Sequence, residues 1–136
     1  MSERGTWKIT VGGDDLATYE DIVKGEPITG GPKFLPVEGY GAANIQWLDL
    51  GNEHLHRRFT MTREHPDNTE STDWYLTAAQ QFNGVADVLL SHQDYAGAET
   101  SYLIAGAQVT VEVAEPVGVC SITTININGG IAVRQA

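Results

Sequence analysis

The sequence predicts a mostly β protein: a β-sandwich or open barrel with one flanking α-helix at about residues 72–83 and a long Gly/Pro-rich loop at about residues 24–41. Three observations carry this reading. Several short segments alternate apolar and polar residues, the period-2 signature of half-buried strands. Only one segment repeats convincingly at helical spacing. The order is strands, one helix, then strands, which sets the helix over a face or edge of the sheet. The 136 residues fit one domain spanning 1–136. A chain of this length buries roughly two-thirds of its unfolded surface, enough for a core without covalent staples.

The elements follow in order. Thr6 to Val11 alternates, with Trp7, Ile9 and Val11 on one face, and Gly12-Gly13-Asp14-Asp15 supplies turn chemistry after it. Leu16 to Val23 holds a second short element of either type. Residues 24–41 contain Gly25, Pro27, Gly30, Gly31, Pro32, Pro36, Gly39 and Gly41, a density that argues against regular structure. The same stretch carries Ile28, Phe34, Leu35, Val37 and Tyr40. Long loops are uncommon in compact domains and are often functional. Two fates are open for these apolar side chains: a neighbouring subunit, or the chain's own core.

Asn44 to Leu50 reads as a strand with Ile45 and Trp47 on one face. Glu53 to Arg63 is a clearer strand, with Leu55, Phe59 and Met61 facing one way and Arg57 among them. Ser71 or Thr72 caps the helix, Asp73 suits its first turn, and Tyr75, Ala78, Ala79 and Phe82 form its apolar face. Asn83-Gly84 stops it. Ala86–Ser91 and Ser101–Ile104 are short strands. Ala107–Glu115 and Val119–Asn128 pair as a hairpin through Glu115-Pro116-Val117-Gly118. The apolar phase slips between Ile122 and Ile125, which predicts a bulge.

Composition bounds the function. Eighteen Asp and Glu oppose eight Lys and Arg, a formal charge of −10. Only Arg57, Arg58 and Arg63 cluster, so tight nucleic-acid binding is disfavoured. Cys120 is the sole cysteine, which excludes an internal disulfide and predicts a small buried hydrophobe. The N-terminus leads into no apolar signal segment, and no run approaches membrane-spanning length, so a soluble chain is expected.

No catalytic constellation is legible. His54 and His56 share a strand face and would need a third metal ligand; solvent-facing histidines are the simpler reading. Asp14-Asp15 and Glu20-Asp21 are adjacent pairs whose members point to opposite faces of a strand, so turn and surface roles are expected of them. There is no nucleophile elbow, and Gly12-Gly13 is followed by acid where a phosphate cradle needs base. The expectation is a non-enzyme with no cofactor, no metal and no small-molecule substrate.

Gly51-Asn52, the strand ending Phe59-Thr60-Met61-Thr62-Arg63-Glu64-His65, the Ala-containing helix through Phe82, Tyr102 to Ala107, Gly118-Val119 and Asn128-Gly129-Gly130 resemble small tail proteins of tailed bacteriophages and prophages. The resemblance covers about residues 51–130; the first fifty residues carry none of it. It implies a tail-tube-type fold assembled into hexameric rings. A β-sheet would line the channel and long loops would reach the next ring. The implied partners are further copies of the chain and other tail proteins, with DNA passing without specific binding and no membrane involved. The implied location is the tail of the virion after synthesis in the bacterial host cytoplasm. The tube subunit is the first reading, and a distal-tail or tail-terminator ring the alternative. Ile28, Phe34, Leu35, Val37 and Tyr40 are the expected interface residues. The rival from another class, a carbohydrate-binding module, requires exposed aromatics, whereas Trp7, Trp47 and Trp74 fall on apolar faces or beside the helix.

Overall fold

A computed structural model describes residues 7–30, 32–38, 45–52, 55–94 and 96–135. In the ribbon formed by 32–38 and 45–52 the description is of the backbone. The strands are β1 (Trp7–Val11), β2 (Asp14–Ala17), β3 (Ile22–Gly25), β4 (Pro32–Glu38), β5 (Ile45–Asn52), β6 (Leu55–Glu64), β7 (Gly84–Gln93), β8 (Glu99–Val113), β9 (Cys120–Gly129) and β10 (Val133–Arg134). Helix α1 (Asn68–Leu76) and a 3-10 turn (Ala78–Phe82) separate β6 from β7. Eight strands form one antiparallel sheet in the order β2-β1-β7-β8-β9-β6-β3, with β10 added beside β8.

The sheet encloses a core of Ile9, Leu16, Met61, Val88, Ile104, Val109, Ile125 and Ile127, all 1% exposed or less. Strand alternation supplies these residues, as every second side chain points inward. Long β8 serves both halves of the sheet. Its first part pairs with β7 and its second with β9. Gly106, at φ +60, takes the backbone through a conformation that a side chain would strain. At Gly129 an added Cβ would lie 2.8 Å from Ile104 Cγ2, so the strand crosses the core only without a side chain.

The structure corrects several expectations. Residues 24–41 are not irregular throughout: 32–38 form β4, which pairs with β5 as a separate two-stranded ribbon. Proline is tolerated in a two-stranded ribbon because each strand keeps an outer edge where a missing N–H loses nothing. Asp14 and Asp15 lie in β2, so Gly12 and Gly13, both at positive φ, make the turn alone.

The helix begins earlier than expected. Asp67 caps it, accepting from Glu70 N at 2.8 Å, and Ser71 and Thr72 lie inside. It breaks at Thr77, whose hydroxyl donates back to Asp73 O at 3.0 Å. Trp74 is its buried anchor, whereas Tyr75 is exposed and, of the expected face, only Ala79 is fully covered. No bulge divides β9. Ser121, Thr123, Ile125 and Ile127 alternate inward without a slip, and both polar side chains are hydrogen-bonded. Cys120 is exposed, and Asp21 is buried. No helix among the described residues is long and apolar enough to cross a membrane.

Candidate functional site

The expected interface segment begins where β3 ends. Glu26 N donates to Arg58 O at 2.9 Å, and Thr29 and His56 exchange two backbone hydrogen bonds at 3.1 and 2.8 Å. These bonds fasten the lead-in of the β4–β5 ribbon to the outside of β6. Between them Ile28 stands 61% exposed, an apolar side chain presented to solvent as an interface reading requires. In the ribbon the register places Phe34 opposite Asp49, Leu35 opposite Leu48 and Val37 opposite Gln46. The side chains of Phe34, Leu35 and Val37, and Tyr40 altogether, lie outside the described residues.

Of the histidine pair, only His56 falls among the described residues. His56 is exposed and contributes its backbone to the Thr29 bridge. His54 lies outside the described residues. Among those described, no three His, Cys, Asp or Glu side chains converge as metal ligands.

Polar chemistry gathers elsewhere. A groove of about 870 Å³ runs between Thr18–Ile22 and Thr62–Pro66, with Glu70 on its border. Arg63 Nε and Nη2 donate to the two carboxylate oxygens of Asp21 at 2.9 and 2.8 Å, and Nη2 also donates to Leu16 O at 2.9 Å. The guanidinium lies 4.5 Å from the Trp74 ring centroid. Two of its three nitrogens and its face are thus spent on the fold, which sets Arg63 apart from a free phosphate-binding cluster. On the same groove, the Tyr19 hydroxyl donates to Glu99 at 2.6 Å. Burial and the Glu99 carboxylate push its pKa well above the usual phenol range.

One constellation was not legible in the sequence. His65 Nε2 lies 2.8 Å from Ser121 Oγ, and His65 Nδ1 lies 3.3 Å from Glu70 Oε1. With an ionised carboxylate, which only accepts, neutral His65 carries its proton on Nδ1 and Nε2 accepts from Ser121. This is the connectivity of a nucleophile, a base and an orienting acid. Its surroundings oppose catalysis. Ser121 is 1% exposed and the His65 side chain equally closed, so no reacting atom can reach the hydroxyl. The relay instead ties the end of β6 to the first turn of α1 and to β9. His65 N to Val119 O at 2.7 Å and Ser71 Oγ to Gly118 O at 2.8 Å reinforce the same junction.

Among the described residues the tryptophans form no exposed sugar platform, and the Trp47 side chain lies outside them. Trp74 is buried, and Trp7 packs edge-on against Phe59 and His92 at 5.6 and 4.8 Å. The described surface offers a β-rich shell, an exposed apolar lead-in and a separate ribbon, with its buried polar side chains, Arg57 Nη1 excepted, engaged in holding elements together.

Solved structures with this arrangement exist. A chain in the sheath/tube terminator of an extracellular contractile injection system in its extended state superposes with TM-score 0.55 at 16% identity, covering 100% of this chain and 96% of that one. The chain has the fold of contractile-injection-system components. A chain of the six-fold symmetrised baseplate of the anti-feeding prophage gives TM-score 0.54 at 12% identity, over 100% of this chain and 95% of that one. The cap that terminates the tube of the same prophage gives 0.51 at 15%, over 97% and 89%. No protein-family profile and no curated protein sequence matches the chain. The alignment with the terminator chain covers all of this chain and so extends beyond residues 51–130, which carry the phage-tail resemblance.

Proposed function

We propose that this chain is a structural subunit of a phage-tail-like particle, forming a ring that terminates or caps the tube. The observation that carries the reading is end-to-end agreement of the fold with chains from a sheath/tube terminator and a tube-terminating cap. This favours the terminator over the tube subunit, the first reading of the sequence. The tube reading keeps one support, the likeness to a chain in the sheath-tube complex at TM-score 0.52.

The surface suits assembly. Strands β2 and β3 end the sheet order, and sheet edges pair readily with other chains. Ile28 and the β4–β5 ribbon supply an apolar lead-in and a projection distinct from the main sheet. The formal charge of −10 suits a ring through which DNA or another acidic cargo slides without sticking. Partners are then further copies of the chain and the tail proteins adjoining the ring, and the subunit needs no active site.

Electron microscopy of the purified chain tests this. Discrete six-fold rings that do not extend support the terminator; long stacked cylinders support the tube subunit. A monomer that persists at high concentration, alone and with isolated tubes, overturns both.

A further inference from the structure

Arg57 is a buried cation with an unused donor. It lies on the inward face of β6 in line with Phe59 and Met61, and it is 5% exposed. Nη2 donates to Gly130 O at 2.9 Å. Nη1 is closed to water and has no partner among the described residues. Burial lowers the pKa of the group, but a guanidinium stays charged in proteins. An unanswered N–H on a buried charge is costly, and native structures keep few of them without a reason.

Arg57 borders a cavity of about 410 Å³ at the end of the core, walled chiefly by Trp7, Ile28, Phe59, Leu90, Tyr102 and Ala132. The walls are apolar apart from the phenol of Tyr102. Glu26 also reaches the cavity, but its carboxylate lies 3.7 Å from Arg58 Nε on the outer face. The arrangement is a hydrophobic recess with one buried cation on its border, whose unspent Nη1 is reached only when a wall side chain moves aside. Such a recess selects an anion on an apolar stem.

We propose that the recess beside Arg57 receives the carboxylate of an Asp or Glu side chain from a second copy of this chain, so that Arg57 is fully paired only in the assembly. The proposal rests on the ring-forming reading above. Charge complementarity names the occupant: acidic residues outnumber basic ones 18 to 8, so copies meeting face to face need cations at the contact. Ile28, 61% exposed, is the most exposed apolar side chain of the wall. It can yield to the incoming group and then shield the pair from water.

Two arms test it. In the first, Arg57→Met keeps the stem and removes the charge, and Ile28→Asp supplies a competing carboxylate in cis at an exposed position. Each should weaken self-association at least tenfold in sedimentation velocity. Association at the parental level in a folded Arg57→Met, or in Ile28→Asp should Arg57→Met not fold, overturns the second-copy occupant.

In the second arm the dispersed parent chain is titrated with hexanoate and with its neutral isostere hexanamide, while the Trp7 indole N–H resonance is followed. Saturable binding of hexanoate in the roughly millimolar range, with hexanamide at least tenfold weaker, is expected. Equal binding of the two, or none, overturns the carboxylate site. Hexanoate binding by a parent that never associates overturns the ring reading and the occupant, and upholds the site. The two failures are thereby separable.

Discussion

The indole nitrogen of Trp74 donates to the hydroxyl of Thr123 at 2.8 Å, and both residues are buried. This bond joins α1 to β9 and explains why the inward face of β9 changes from Ile125 and Ile127 to Thr123 and Ser121. The strand turns polar where Trp74 of the helix and His65 just after β6 lay polar groups on it. Thr123→Val should therefore cost about 1–3 kcal/mol although it adds no volume, since it strands a buried indole N–H. Trp74→Phe with Thr123→Val should recover part of that loss, because both partners are removed. Urea unfolding of the two single variants and the double variant measures the coupling.

Asp21 and Arg63 form the most buried carboxylate–guanidinium pair among the described residues, with side chains 6% and 19% exposed. Removing one partner leaves the other charge uncompensated, so Asp21→Ala and Arg63→Ala are each expected to lose about 3–5 kcal/mol. Chemical denaturation midpoints check this. A loss below about 1 kcal/mol would mark the pair as an ordinary surface bridge.

Tyr19 predicts an alkaline limit. Its folded pKa is raised by burial and by Glu99, so the folded state holds the phenol proton more tightly than the unfolded chain. Its contribution is fully present below about pH 10, the ordinary phenol value, and is lost as pH rises above it. The parent should lose more thermal stability than Tyr19→Phe between about pH 9 and 11. Parallel melting curves for the two across that window would refute the assignment.

The β4–β5 ribbon predicts a separation of assembly from folding. Phe34→Ser with Leu35→Ser should abolish rings in electron microscopy while leaving the circular dichroism melting temperature within a few degrees, as about 1 kcal/mol shifts it roughly 2–8 °C. A chain that unfolds instead places these side chains in its own core.

Much of the fold was legible because strand alternation is local. Trp7, Ile9 and Val11, the valines of β8, and the β8–β9 hairpin follow from period 2 alone, and even Arg57 stands out among the apolar side chains of β6. The reading went wrong where a residue's role depends on a distant partner. Thr123 mimicked a slip in phase because its hydroxyl is answered by a tryptophan 49 positions away. Asp21 does close a turn, accepting from Thr18 N, but it is buried rather than on the surface because Arg63, 42 positions on, pairs with it. The helix start was misplaced by a shorter-range competition, in which Asp67, three residues past the end of β6, took the cap from Ser71 and Thr72.

By itself the sequence determined a mostly β chain with one helix, an acidic balance and no linear catalytic motif, all properties of local pattern and composition. Only the tertiary structure decided which polar residues are spent on the fold. Arg63, His65 and Ser121 carry chemistry-bearing side chains, yet the sheet brings each against partners that engage it. It also decided that Arg57 keeps an unanswered donor. The physical reason is that burial and partnership are set by strands adjacent in space, and their pairing brings together side chains that sequence spacing keeps apart.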